Sequence, residues 1–292
     1  MLDVTRLRVL AAVAQYGSVT AAARALRYAQ ASVSHHIARL EAETGSQLVQ
    51  RVGRGIRLTE AGRMLAQRAE EILGRLDAAE TDLAAYAGLR AGRVRLAAFP
   101  SALGTFVPQA AAAFVAAHPG VELRFTEAEP PDAIRLLRAG EVEVAVVFSY
   151  PETPDEDGLR HTRLLTEPIY LVTPTEVAGD RLPDHAARRW ITGCERCREH
   201  LLRCCADAGF RPDIAFTTDD YVAVQALVAA GLGVTTLPGL ALAAQRHSGV
   251  RVVRLPGQHR RIDAAVYGQP PDPPATEALL TQLTRAARRV RT

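Results

Sequence analysis

Residues 17–62 read GSVTAAARALRYAQASVSHHIARLEAETGSQLVQRVGRGIRLTEAG. Gly17 breaks one helix and Ser18 caps the next, because a serine hydroxyl can accept from an orphan amide of the first turn. The capped helix runs to Ala25 or Leu26, and Arg27-Tyr28-Ala29 makes a tight turn. A third helix then covers about Gln30 to Thr44, until Gly45 stops it. Ala29 stands where a capping side chain would contribute roughly 1 kcal/mol. Val33, Ile37 and Leu40 recur at i, i+4 and i+7 and face inward, which turns Gln30, Ser34, His35 and Arg39 outward or to the flank. Upstream, about Asp3 to Tyr16 forms a first helix with Leu7, Leu10 and Ala14 on one face. Downstream, Leu48–Arg51 and Ile56–Leu58 flank Gly53-Arg54-Gly55 and read as a two-stranded wing.

Two helices joined by a tight turn, the second polar near its start, can set a recognition helix in the major groove of DNA. Gln30 and Ser34 suit base edges, whereas Arg51, Arg54 at the wing tip and Arg57 suit phosphates. Ser18, Thr20, Tyr28, Ala31, Ser32, His35 and Arg39 complete the expected DNA-facing set. The charge distribution agrees. Residues 1–58 carry eight arginines against three acids, residues 59–89 three against six, and the remainder 24 against 23. A small basic module on a nearly neutral body is the footprint of nucleic-acid binding. All 35 basic residues are arginine, which we read mainly as a GC-rich genome, although arginine also suits phosphate.

The same stretch resembles the helix-turn-helix and wing of LysR-type transcriptional regulators. It matches their pattern at Ala22, Ala23, Leu26, Gln30, Ser34, Ile37, Leu40, Glu41, Gly45, Leu48, Arg51, Leu58, Thr59, Ala61 and Gly62. It departs at Ala29 (usually Ser), Ala31 (often Pro) and His35 (often Arg). The last departure leaves open which base is read at that position.

Beyond the wing, Leu58, Gly62, Leu65, Ala69, Ile72, Leu76, Ala79, Leu83 and Tyr86 alternate in steps of four and three. That is a heptad seam on a long helix, and it needs a partner or the chain's own body to cover it. The resemblance implies dimerisation here, with a hinge at Gly88 and Arg90-Ala91-Gly92.

From Arg93 strands alternate with helices, as in parallel β/α units. Strands are expected at Val94–Ala98, Val121–Thr126, Val142–Phe148, Ile169–Val172, Trp190–Thr192, Ile214–Thr217, Val234–Leu237 and Ile262–Tyr267. Helices are expected over Ala102–Ala117, Pro131–Ala139, Arg196–Ala208, Val222–Ala230 and Pro274–Arg291. The chain returns to its first lobe near Pro256–Arg261. Two α/β lobes of this kind resemble the type 2 periplasmic-binding-protein-like effector domain of the LysR family, most clearly at TTDDYVAVQALVAAGLGVTTLP. In such sheets ligands lie off the carboxyl ends of strands. The expected effector-binding residues are therefore Phe99, Pro100, Ser101, Ala102, Phe148, Ser149, Thr173, Gly193, Cys194 and Asp220, with Ser101 foremost. Asp219 and Asp220 also suit helix capping.

Four cysteines fall between positions 194 and 205. One reading is zinc on Cys194, Cys197, His200 and Cys204, but Cys197 and Cys204 lie roughly 10.5 Å apart if helical, too far for one tetrahedral ion. A second is core packing, with Cys197, Leu201, Cys204, Cys205 and Ala208 on one helical face. The resemblance supplies a third: peroxide-sensing members carry two cysteines in about this stretch, and Cys205 fits the resolving position while Cys197 is one residue out of register. Cys194 itself, at the first turn of a helix with Arg196 and Arg198 nearby, is expected to have a lowered pKa.

The fold expected is thus multidomain: an all-α winged helix-turn-helix domain (1–58), a linker helix and hinge (59–91), and a two-lobed α/β effector domain (92–292). Its lobe I comprises 92–163 and 262–292, and lobe II 164–261. With 48% hydrophobic residues the 292-residue chain can bury a sizeable core. No apolar run of membrane-spanning length occurs, and the acid at Asp3 argues against a signal peptide, so a cytoplasmic location is expected. The reading is a transcription factor modulated by a small-molecule effector, with double-stranded DNA and further copies of itself as partners, dimer or tetramer, and contact with RNA polymerase left open. No cofactor is implied. The alternatives are a cysteine-based redox-sensing factor on the same scaffold and a cytoplasmic small-molecule binding protein. No Ser-His-Asp set, phosphate loop or GxGxxG motif points to an enzyme.

Overall fold

The computed structural model describes residues 2–52, 55–86, 92–153 and 158–290, with backbone alone at 51, 52, 55, 77, 78 and 80–86. Arg54, the hinge residues Gly88, Arg90 and Ala91, and the side chains of Arg51, Leu83 and Tyr86 lie outside the described residues. The chain divides into an N-terminal and a C-terminal unit that meet in sequence near residue 90. No helix among the described residues is long and apolar enough to cross a membrane.

The N-terminal unit opens with α1 (Val4–Tyr16), α2 (Val19–Leu26) and α3 (Gln30–Thr44). Asp3 caps α1 by accepting from the Arg6 amide at 3.1 Å, and Ser18 caps α2 through the Ala21 amide at 3.1 Å. Ala29 offers α3 no side-chain cap, as its methyl dictates. Gly45 ends α3 at φ 63, a conformation in which a Cβ is costly. Leu7, Leu10, Val33, Ile37 and Leu40 are sealed in one apolar cluster. The wing is the antiparallel pair β1 (Val49–Val52) and β2 (Gly55–Leu58). Glu41 fixes its root, accepting from the amides of Leu48 at 2.8 Å and Val49 at 3.1 Å.

Thr59 then joins wing to α4 (Glu60–Tyr86): its hydroxyl donates to the Gln47 carbonyl at 2.7 Å and accepts from the Gly62 amide at 3.0 Å. A Cβ on Gly62 would stand 2.0 Å from the Leu48 carbonyl oxygen, so only glycine permits this approach. The expected seam is divided. Ala69, together with the off-seam Ala66, is buried in the cluster below α1, whereas Ile72 and Leu76 remain 38% and 40% exposed. The early part of the seam is covered by the chain's own body because α1 crosses it, and only the later part is left for a partner.

In the C-terminal unit the strands are β3 (Arg93–Ala98), β4 (Glu122–Glu127), β5 (Val144–Ser149), β6 (Leu159–Pro174), β7 (Arg189–Thr192), β8 (Asp213–Thr217), β9 (Thr235–Pro238) and β10 (Val250–Tyr267). The helices are α5 (Pro100–Leu103), α6 (Val107–Ala117), α7 (Pro130–Arg138), α8 (Glu195–Asp207), α9 (Tyr221–Ala229), α10 (Gly239–Ala244) and α11 (Pro274–Ala287). One six-stranded sheet runs β4-β3-β5-β10-β6-β9, and β7-β8 is a separate pair. Phe106, Phe114, Leu279 and Leu283 of α6, α11 and their approaches cover one sheet face, and Ile134 and Leu137 of α7 pack under the other.

Three expectations need correction. The sheet is mixed, because β10 is antiparallel to both β5 and β6, and β6 to β9. The short strands expected at Ile169–Val172 and Ile262–Tyr267 are parts of strands of 16 and 18 residues. Their missing parts, such as Leu159–Glu167, carry Arg, His and Thr on a solvated face and hide the alternation. The helix expected over Ala102–Ala117 is two helices, because Pro108 favours the first turn of a new helix. The long ladder is interrupted between Arg254 and His259, where Gly257 takes φ 75.

Candidate nucleic-acid interface and ligand cleft

The exposed side of α3 carries polar residues interspersed with alanines. Gln30, Ala31, Ser32, Ser34, His35 and Arg39 are exposed, while Val33, Ile37 and Leu40 are buried behind them. Thr20 and Arg57 are exposed as well. Tyr28 is exposed, with its ring 6.0 Å from that of His36. Ser18 is half-buried and its hydroxyl is engaged as the α2 cap. Arg27, between α2 and α3, holds the left-handed conformation at φ 55, which makes the turn tight enough to lay α3 across the unit.

A cleft opens between the lobes of the C-terminal unit, lined on one side by Phe99, Pro100, Ser101 and Glu129 and on the other by Gly193, Cys194, Cys197, Thr218, Asp219 and Tyr221. Its free volume is about 60 Å³. Arg260 forms part of its floor. Arg260 and Glu167 face each other across the β10–β6 ladder and are 2% and 0% exposed. The guanidinium donates to Glu167 at 2.7 Å and to the Ser101 hydroxyl at 3.1 Å, and lies 4.0 Å from the ring centre of Phe148 and 5.0 Å from that of Phe99. Burial lowers the Arg260 pKa, but Glu167, Tyr150 and Cys197 together outweigh it and leave it raised. The other oxygen of Glu167 accepts from the Leu240 amide at the start of α10. Both oxygens of Glu167 are thus engaged, which offsets part of the cost of burying the pair.

Phe99, Pro100, Ser101, Gly193 and Cys194 line the cleft, Ser101 as the acceptor for Arg260. Phe148 supports Arg260 from below, and Ala102 is sealed in the core, so neither reaches the cleft. Ser149 faces a different pocket with Arg163, His259 and Arg261. Thr173 is 0% exposed and donates to the Pro174 carbonyl, because its side chain points into the lobe. Asp220 is occupied as the α9 cap, accepting from Val222 at 2.9 Å and Ala223 at 3.1 Å, and Asp219 is the aspartate that lines the cleft. Arg260, Glu167 and Glu129 were missed. They sit in or beside polar stretches read as loops, and no local periodicity marks them.

The cysteines separate into two pairs. Cys204 and Cys205 are buried, and burial pushes their thiols up to about 11 and about 12. Cys194 and Cys197 are half-buried at the N-terminus of α8, with sulfurs 3.0 Å apart. Cys194 donates to Cys197, which raises the pKa of Cys194 and lowers that of Cys197. The expectation of a lowered Cys194 pKa is thus reversed, because sharing the proton and desolvation outweigh the helix terminus. His200 turns to Glu152 at 3.0 Å and Cys204 lies against His200 and Gln258, so the zinc reading on Cys194, Cys197, His200 and Cys204 has no common centre.

Two family models match the chain. Residues 4–63 match the bacterial regulatory helix-turn-helix protein of the lysR family, and residues 87–288 match the LysR substrate binding domain. The chain is 31% identical over 268 residues to YcgK, an uncharacterised HTH-type transcriptional regulator of Bacillus subtilis, covering 82% of this chain and 81% of that one. It is 30% identical over 295 residues to LrrA of Synechococcus elongatus, a probable HTH-type transcriptional regulator, covering 99% of each. Among solved structures, CbnR superposes with a TM-score of 0.66 at 23% identity, covering 98% of this chain and 99% of that one. Full-length OxyR from Pseudomonas aeruginosa superposes with a TM-score of 0.64 at 21% identity, covering 97% and 95%.

Proposed function

The chain belongs to the LysR family of bacterial transcriptional regulators, and from that premise we propose which surfaces carry each part of its work. Residues 1–58 bind operator DNA, 59–91 pair two copies, and 92–292 sense an effector between lobe I (92–163, 262–292) and lobe II (164–261). Base edges meet Gln30, Ala31, Ser32, Ser34, His35 and Arg39 of α3. Arg51, Arg54 and Arg57 hold phosphates, and Ser18, Thr20 and Tyr28 border the same surface. The effector lies against Phe99, Pro100, Ser101, Gly193 and Cys194. The protein acts in the cytoplasm as a homodimer or homotetramer, and it regulates transcription rather than catalysing a reaction.

The observation that carries this reading is the division of α3 into a sealed apolar side and an exposed polar one. Such a helix is free to enter a major groove. A CbnR structure in complex with its target DNA superposes on this chain with a TM-score of 0.63 and supports the same use of the fold. The test is a mobility shift with DNA from upstream of the gene, using the full chain and a form lacking residues 1–58. The full chain shifts the fragment and the truncated form does not. A shift by the truncated form rejects the assignment.

A further inference from the structure

We infer that the cleft holds a thiophilic divalent cation on Cys194, Glu129 and Asp219. A sulfur and two carboxylate oxygens of these residues lie within 4.8 Å of one another. They come from three separate places: Glu129 precedes α7, Cys194 is the N-cap of α8, and Asp219 lies just before the Asp220 cap of α9. The Cys197 sulfur, 3.0 Å from that of Cys194, stands next to the set.

The second observation is Glu129 Oε2. It is a buried carboxylate oxygen with no hydrogen-bond partner. Leaving such an atom dry and unpaired is costly, and buried unsatisfied atoms in native folds commonly mark a functional or ion-binding position. A cation between Glu129 and Cys194 would supply that partner. The free volume of about 60 Å³ accommodates an ion and a water or two. It falls well below the ~300 Å³ at which small-molecule sites begin.

The donor set selects the class of cation. Magnesium and calcium take six or more oxygens and avoid sulfur. A thiolate with carboxylates suits zinc and its neighbours, with metal–sulfur and metal–oxygen distances near ~2.3 and ~2.0 Å. Ligands around one such ion stand roughly 3–4 Å from each other, so small side-chain rotations close the set. Binding needs the Cys194 thiolate, and its proton passes to solvent. Cys197 is the nearest group for a fourth position. The proposal deepens the sensing role assigned to the cleft by naming a class of effector, and rests on that role only for its effect on DNA binding.

The test titrates reduced, metal-free full-length protein with Co²⁺ and follows the sulfur-to-cobalt charge-transfer absorption, with Zn²⁺ then added as competitor. One Co²⁺ per chain is expected, displaced by Zn²⁺. The band should vanish in Cys194→Ser, and the affinity should fall at least ~100-fold in Glu129→Gln, since even outer partners of a metal are worth 10–100-fold. Circular dichroism checks that both variants are folded. No charge-transfer band in the wild type, or an unchanged band in Cys194→Ser, overturns the site and leaves the sensing role standing. DNA affinity is measured with and without Zn²⁺. A band without any change in DNA affinity upholds the metal site and rejects the cleft as the sensor.

Discussion

Arg260 and Glu167 are directly opposed across two antiparallel strands, joined at 2.7 Å, and shut away from solvent together. Ser101 and the Leu240 amide supply the pair's further hydrogen bonds. Removing one member strands the other, at a cost of about 3–5 kcal/mol. Arg260→Met and Glu167→Gln should each lower the urea midpoint of the full chain markedly. The double variant should lose less than the two single losses added together. A wild-type midpoint in Arg260→Met would show that the pair does not stabilise the fold.

On the DNA side, Ser34→Ala should weaken specific binding more than non-specific binding, because Ser34 lies on the exposed side of α3 proposed to meet base edges. Arg57→Ala should weaken both alike and flatten the dependence of log affinity on log salt by about one, the signature of a lost phosphate contact. Parallel salt plots for wild type and Arg57→Ala would remove Arg57 from the phosphate set.

Along α4 the buried and exposed halves of the seam predict different failures. Ile72→Asp with Leu76→Asp should give folded monomers, because both positions are open in the single chain and charges at a coiled-coil interface are costly. Ala69→Asp should instead lower the melting temperature of the N-terminal unit, since Ala69 is sealed against that unit's own core. Light scattering and thermal melts separate the two. An unchanged oligomer in the double variant would reject the seam.

His200 gives the sensing unit an acid-sensitive point. Glu152 accepts from it at 3.0 Å, Tyr150 stacks on it at 3.8 Å, Cys204 lies beside it, and Arg203 and Arg260 repel its charged form. Burial is the largest influence, and the pKa of His200 is lowered. A histidine whose folded pKa is depressed contributes stability that is present above its unfolded pKa of about 6.5 and lost as pH falls below it. Glu152, whose pKa is also lowered, adds a loss in the same direction nearer pH 4.5. Thermal melts of the full chain should therefore fall as pH drops below about 6.5, and less steeply in His200→Gln. Identical slopes would acquit His200.

Much of the N-terminal unit was legible because its signals are local. Ser18, Gly45 and the spacing of Val33, Ile37 and Leu40 are read within a few residues of where they act. The cleft was only half legible. Strand ends pointed to Ser101 and Cys194, but Arg260 reaches Glu167 from 93 residues away, on strands whose exposed faces carry arginine and histidine. Thr173 and Asp220 were misplaced for the same reason: strand-end position does not tell which way a side chain turns, and Asp220 was claimed by its own helix.

The 16- and 18-residue strands that run through both lobes have a mechanical meaning. The lobes are not bodies tied by slack tethers. They are the two ends of one hydrogen-bonded ribbon, which acts as a leaf spring: it resists sliding, because sliding breaks the whole ladder, and yields to twist and bend. Its compliant point is the interruption between Arg254 and His259, and Arg260 with Glu167 sits at the clamp beside it. A slight rotation at that clamp is multiplied along the length of the strands that leave it on either side.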